Sequence, residues 1–259
     1  MKPITLPQLV AMKGGPGQIW ATAYDAWMAG IIDEAVDVIL VGDSLGMMVQ
    51  GKENTLPVTL DEMIYHAKMV RRRTSHAFLV VDMPFLSYQI SIEDAIRSAG
   101  RIIKETGAQA VKLEGGQEMA PTIQALTARG IPVVGHVGMT PQSVHVFGGF
   151  GKQGKDLEAA QRILEDAKAI SLAGCFAMVL ENIPHDLAAQ ITKEVPAITI
   201  GIGAGGDTDG QVQVFHDLFG LDEAFTPRHA VQFGQLGKQM KELAQEYALE
   251  VRSKRLVSK

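Results

Sequence analysis

Short, nearly continuous apolar runs alternate along the chain with segments of helical period. The runs cover residues 19–24, 38–41, 78–81, 110–113, 132–137, 176–180 and 197–200, with a weaker eighth at 212–215. Continuous rather than alternating hydrophobicity is what strands of a parallel sheet need when helices cover both faces. Between the runs, Ile92, Ala95, Ile96, Ala99, Ile102 and Ile103 fall on one helical face. Ser91 followed by Asp94 predicts a capped start to that helix, and Gly107 predicts its end. Thr59 and Glu62 open another helix, which closes on Arg71-Arg72-Arg73, cations that complement the helix dipole. Further helices are predicted near 156–173, 184–194 and 235–252, with Pro184 favoured at a first helical position.

Eight strand-like runs alternating with helices in 259 residues match the size of an α/β fold of the (β/α)8 TIM barrel type, read here as a single domain over residues 1–259. An open doubly wound sheet is the competing architecture. Residues 5–12 predict an extra N-terminal helix, placed to plug the bottom of the barrel. Two connections are unusually long, residues 45–58 and 139–155, and both leave the C-terminal ends of strands, where barrels build their sites.

Composition narrows the classes. With 24 Lys+Arg against 29 Asp+Glu, the net charge is −5, which argues against a general nucleic-acid binder, so the triple arginine reads as a solvated helix end. The single cysteine, Cys175, excludes an intrachain disulfide framework and any multi-cysteine metal site. It sits in an apolar run and reads as a small buried hydrophobe. No apolar run is long enough to span a membrane, and no apolar stretch follows Lys2 as a secretory leader requires. A soluble, cytoplasmic protein with neither membrane nor nucleic-acid partners is expected.

The polar residues gather at the C-terminal ends of the predicted strands. Asp25 follows the first, Asp43 and Ser44 the second, and Asp82 the third; Lys112 and Glu114 end the fourth, His136 the fifth and Glu181 the sixth. Any one of them could be a helix cap or turn residue. Several ionisable groups converging on one barrel mouth point instead to a site, because buried charges are costly unless paired or bound to metal. Asp43, Asp82 and Glu114 are hard oxygen donors on separate strands, which favours Mg2+ over structural zinc. A 2-keto acid suits such an ion, since its keto and carboxylate oxygens chelate together and the metal then favours loss of the adjacent C–H proton. Lys112 offers a cation to substrate oxygens, and Glu181 is the candidate general base. The apolar flank of Glu181 predicts partial desolvation, which raises a carboxyl pKa toward a base's useful range. His136 stands between a core histidine and a substrate contact. His145, His185, His216 and His229 show no metal-ligand spacing. The run Gly201-Ile202-Gly203-Ala204-Gly205-Gly206, with Asp222 farther on, satisfies a dinucleotide-binding pattern, but glycines after a seventh barrel strand more often admit ligand atoms to the backbone.

Together, Val41-Gly42-Asp43-Ser44-Leu45-Gly46-Met47, Val81-Asp82-Met83-Pro84-Phe85 and Val111-Lys112-Leu113-Glu114-Gly115-Gly116 resemble motifs of the ketopantoate hydroxymethyltransferase family. So do Gly135-His136-Val137-Gly138-Met139-Thr140-Pro141-Gln142 and Gly201-Ile202-Gly203-Ala204-Gly205, in the family's order. The resemblance implies a (β/α)8 barrel that transfers a hydroxymethyl group from 5,10-methylenetetrahydrofolate to 3-methyl-2-oxobutanoate, giving 2-dehydropantoate in pantothenate biosynthesis. It implies Mg2+ held at Asp43 and Asp82, with Glu114 contributing. It further implies keto-acid contacts from Asp43, Ser44, Asp82 and Lys112, joined here by His136, and Glu181 as proton acceptor. A homo-oligomer, commonly a decamer, is implied as well, while the folate contacts stay unassigned. The loop at residues 147–154 departs from the family version, which is richer in Tyr and Val. Other readings of the same carboxylates are a Mg2+-dependent keto-acid lyase or mutase of the phosphoenolpyruvate mutase and isocitrate lyase kind, which usually needs a reactive lid cysteine, and a non-catalytic keto-acid-binding protein. A nucleotide-dependent oxidoreductase rests on the glycine pattern alone.

Overall fold

The computed structural model describes residues 2–223, 227 and 230–253; His229 lies outside them. The chain divides into two compact units, Met1–Val212 and Gln213–Lys259. In the first, eight parallel strands close into a barrel in sequence order: β1 Gln18–Thr22, β2 Val38–Val41, β3 Phe78–Asp82, β4 Ala110–Lys112, β5 Val133–Gly138, β6 Ala177–Glu181, β7 Ile198–Ile202 and β8 Gly210–Gln213. The doubly wound alternative is thereby excluded. Helices α1 Leu6–Ala11, α2 Ala26–Ile32, α3 Leu45–Met48, α4 Leu60–Arg71, α5 Ile92–Thr106, α6 Ala120–Thr127, α7 Val144–Phe147, α8 Leu157–Leu172 and α9 His185–Glu194 lie in the connections. The eighth strand sits two residues earlier than its apolar run suggests, because Gly210, Gln211 and Gln213 carry no hydrophobic signal. Among its described residues the second unit has α10 Phe215–Phe219, where the Phe215 and Phe219 rings lie 4.6 Å apart, and α11 Leu236–Arg252.

The helix ends follow local chemistry. Thr59 and Glu62 cap one another at the start of α4, and Ser91 accepts from the Asp94 N–H at the start of α5. Gly107 closes α5 at φ +73°, a conformation costly for any residue with a Cβ. Pro184 precedes α9 as its cap rather than occupying the first turn. Arg71, Arg72 and Arg73 are all exposed, as a solvated helix end requires. No helix among the described residues is long and apolar enough to cross a membrane.

Strand period then sets what the barrel interior contains. Val38, Leu40, Phe78, Val80, Ala110, Val134, Ala177, Val179, Ile198 and Ile200 build one buried cluster. Leu9 of α1 joins that cluster, with Ile4, Leu6 and Met12 packed on it, and the Gln18 amide donates to the Leu9 carbonyl at 2.8 Å. Helix α1 thus covers the end of the barrel opposite the strand C-termini.

Asp33, at the end of α2, ties that helix to the start of β3. Its carboxylate accepts from the Ser75 N–H and hydroxyl, the His76 N–H and the Ala77 N–H, at 2.8–3.1 Å. Burial alone would raise its pKa, but these donors prevail and lower it below the ordinary 3.8. Asp33→Asn keeps the shape but turns one acceptor into a donor, and should cost roughly 2–3 kcal/mol by stranding buried N–H groups. A depressed carboxyl contributes stability that is present above its unfolded pKa and lost as pH falls through the native one. The melting-temperature gap to wild type should therefore be full at neutral pH, begin to close near pH 3.8 and vanish in stronger acid.

Candidate active site

The strand period that fills the barrel with apolar residues also decides which polar residues enter its mouth. On β3 the inward positions Phe78 and Val80 lead to Asp82; on β4 Ala110 leads to Lys112 and then Glu114. On β5 Val134 leads to His136, and on β6 Ala177 and Val179 lead to Glu181. Asp25 falls on the other parity and caps α2, accepting from the Met28 N–H at 2.8 Å; it is a structural cap and no part of the site. Asp43 and Ser44 follow β2 in the turn into α3. Gly42 leaves room beside the Ser44 hydroxyl, which a Cβ there would meet at 2.7 Å.

These groups form one connected array. Lys112 Nζ donates to Asp82 Oδ1 at 2.9 Å, and the Asp43 N–H donates to Asp82 Oδ2 at 3.1 Å. The ring of His136 lies between two carboxylates, with Nδ1 3.4 Å from Glu114 Oε1 and Nε2 3.3 Å from Glu181 Oε2. Both are ion-pair distances, and neither nitrogen has well-aligned hydrogen-bond geometry. Asp43, Asp82, Lys112, Glu114 and His136 are buried, whereas the Glu181 side chain is 19% exposed and reaches the opening. Ser44 Oγ lies 2.8 Å from the Tyr24 hydroxyl at the edge of the same cluster.

Burial and mutual charge shift these groups. Burial, then the charges of Asp82 and Glu114, push the Asp43 carboxyl up to about 8. Burial also raises Asp82, against the opposing pull of Lys112. For Lys112 burial disfavours the charge, but Asp82, Glu114 and Asp43 outweigh it and hold the ammonium above its ordinary range. His136 shows the same balance: burial opposes its charge, and contact with Glu114 and Glu181 lifts it to about 9.

The donor set suits a hard divalent cation. Asp43, Asp82, Glu114 and Glu181 bring carboxylate oxygens to one mouth beside two cations, Lys112 and His136, and carboxylate oxygens are the hard donors such an ion takes. Among the described residues, no three His, Cys, Asp or Glu side chains already stand as a metal cage. Mg2+ does not need one, since it is commonly held by one or two carboxylates with water and substrate oxygens completing its shell. Asp43 and Asp82 have carboxylates placed to hold such an ion, with Glu114 alongside.

Three residues of this array carry no obvious signal in the sequence. Gln142, in the 3-10 turn Pro141–Ser143 after β5, donates its amide to Asp43 Oδ2 at 2.9 Å and its backbone N–H to Glu114 Oε2 at 2.9 Å. Tyr88, in the loop after β3, accepts from the Glu114 N–H and donates to Gln142 Oε1. Tyr24 meets Ser44. Gln142 lies within a recognised motif, but its type alone names no role; the tyrosines come from loops that periodicity does not orient.

Two further readings are resolved by the geometry. Gly201–Gly206 leads from β7 through a loop into β8 rather than into a helix, so no helix N-terminus waits for a pyrophosphate. Gly203 and Gly205 sit at φ +64° and +86°, and a Cβ on Gly205 would strike the His185 ring at 2.3 Å. Cys175 lies two residues before β6 rather than inside it, and is buried, with its thiol pushed up to about 12 by burial. An inert thiol cannot serve as the lid cysteine of a lyase.

Known proteins place the chain. A putative phosphonomutase from Burkholderia cenocepacia superposes with a TM-score of 0.66 at 15% identity, covering 94% of this chain and 98% of that one. A phosphonopyruvate hydrolase solved with oxalate and Mg2+ gives 0.64 at 13% identity, covering 98% and 92%. At such identities the likeness shows the fold. Sequence relatives named 3-methyl-2-oxobutanoate hydroxymethyltransferase are far nearer. One from Pelobacter propionicus is 51% identical over 97% of this chain and 94% of its own length. One from Clostridium botulinum is 54% identical over 89% and 84%, and one from Moorella thermoacetica 52% over 96% and 93%. Residues 3–258 match the family described as ketopantoate hydroxymethyltransferase, and with relatives this similar across almost the whole chain, the protein belongs to that family.

Proposed function

We propose that this chain transfers a hydroxymethyl group from 5,10-methylenetetrahydrofolate to 3-methyl-2-oxobutanoate, giving 2-dehydropantoate. The observation that carries the reading is the position of Glu181: a partly exposed carboxylate beside His136 at the mouth, above the buried array of Asp43, Asp82, Glu114 and Lys112. Relatives of that printed name at 51–54% identity support it.

In this reading Lys112, Ser44 and His136 receive the keto and carboxylate oxygens of the substrate. Their polarity suits an anion, and Lys112 is fixed by Asp82 before substrate arrives. Mg2+ held by Asp43 and Asp82, with Glu114 alongside, would polarise the keto group as a Lewis acid and offset the charge that develops on its oxygen. Glu181 removes the C3 proton. His136, between Glu114 and Glu181, orients the Glu181 carboxylate for that step through its Nε2, 3.3 Å from Glu181 Oε2. The C3 carbon then bonds to the folate methylene carbon as one of its two C–N bonds breaks; water displaces the second nitrogen and leaves the hydroxyl, and the C3 proton and one water proton end on the two nitrogens of the departing tetrahydrofolate.

The proposal extends to residues 1–259 working as one domain, to a homo-oligomer of decameric size and to a cytoplasmic location; the family match over residues 3–258 supports the first. The direct test supplies purified protein with the keto acid and methylenetetrahydrofolate, in Mg2+ and in excess EDTA. Product should form in Mg2+ and fail in EDTA. No product in either condition would refute the reading.

A further inference from the structure

Gln142 is a fully committed neutral side chain beside the site, although it comes from a loop rather than a strand. An amide can donate two hydrogen bonds and accept two, and all four are used. Nε2 donates to Asp43 Oδ2 at 2.9 Å and to the Met83 carbonyl at 3.0 Å. Oε1 accepts from the Tyr88 hydroxyl at 2.7 Å and from Gln89 Nε2 at 3.0 Å. The partners fix which end of the amide is which. The Met83 carbonyl can only accept, so the nitrogen of the amide faces it and Asp43 together. The end of Gln142 facing Asp43 is therefore a donor. The same residue's backbone N–H meets Glu114 Oε2. One residue thus grips two carboxylates that come from different parts of the barrel mouth, and it is itself 7% exposed.

We propose that Gln142 is a positioning residue for the divalent cation: its side-chain amide, oriented by Met83 and Tyr88, holds the Asp43 carboxylate in one orientation while its backbone N–H holds Glu114, so that the two present oxygens to one ion. This rests on the reading of Asp43 as a ligand. Groups that orient metal ligands typically matter by 10–100-fold in affinity when removed.

The test measures Mn2+ binding to the purified protein by electron paramagnetic resonance of the free ion, without substrate. Gln142→Met preserves length and volume but makes none of the four side-chain bonds, and should weaken Mn2+ binding by roughly 10–100-fold. Tyr88→Phe removes only the hydroxyl that orients the amide and should weaken it in the same direction by less, and it serves as the second probe if Gln142→Met folds poorly. A merely structural role is separated by the double variant. If Gln142 acts through Asp43, then Gln142→Met in the Asp43→Asn background should add little further loss, whereas independent effects would add. Wild-type binding with unchanged affinity in both single variants, or full additivity in the double variant, overturns the role of Gln142 alone. Absence of Mn2+ binding by wild type overturns the metal reading and this role with it.

Discussion

Glu181→Gln should slow the exchange of the C3 proton of 3-methyl-2-oxobutanoate in heavy water by roughly 10²–10⁴, the usual contribution of a positioned base. The measurement omits folate, so it isolates proton removal from carbon–carbon bond formation. Keto-acid binding should persist, because Glu181 stands at the opening and not within the Asp43, Asp82 and Lys112 array proposed to receive the substrate. The amide of Gln keeps the size of the carboxylate while losing both its basicity and its attraction for His136, 3.3 Å away. Exchange by the variant at the wild-type rate would remove Glu181 from the role.

Asp43→Asn and Asp82→Asn should both nearly abolish product formation, and should weaken Mg2+ binding by an order of magnitude or more. Their effects on the metal-free protein should have opposite signs. Asp43 is pushed up to about 8 by burial and by its carboxylate neighbours, so it is largely neutral at pH 7; an uncharged Asn changes little there, relieves repulsion above pH 8, and can still accept from Gln142. The metal-free Asp43→Asn protein should melt at or above the wild-type temperature, the stability–function opposition expected of a charged site. Asp82 accepts from Lys112 Nζ at 2.9 Å, and removing it strands a buried ammonium. Breaking such a pair typically costs about 3–5 kcal/mol, of which Glu114 and Asp43 recover a part, so Asp82→Asn should melt lower. Calorimetry in EDTA checks the signs. Wild-type Mg2+ affinity in both variants would sink the ligand assignment.

Much of this architecture is legible in the linear chain because parallel barrel strands are buried on both faces and therefore read as apolar runs. Seven of the eight runs fall on strands, and β8 slips because glutamines alternate through it. The site residues are legible for a related reason. An ionisable residue ending an apolar run has few structural uses, and Asp82, Lys112, His136 and Glu181 stand out against their neighbours. The array's internal order is not legible. Strand parity, which separates inward Asp82 from the cap Asp25, depends on where each strand begins, and a one-residue shift reverses it. The grip of Gln142 on Asp43, across 99 positions of sequence, exists only once the loop after β5 folds over the mouth. The sequence by itself determined the barrel and the chemical types at its opening, through local hydrophobic period and residue identity. Tertiary structure alone decided which charges meet, how far burial shifts them, and which neutral side chains hold them in place, because those depend on contacts between segments remote in the chain.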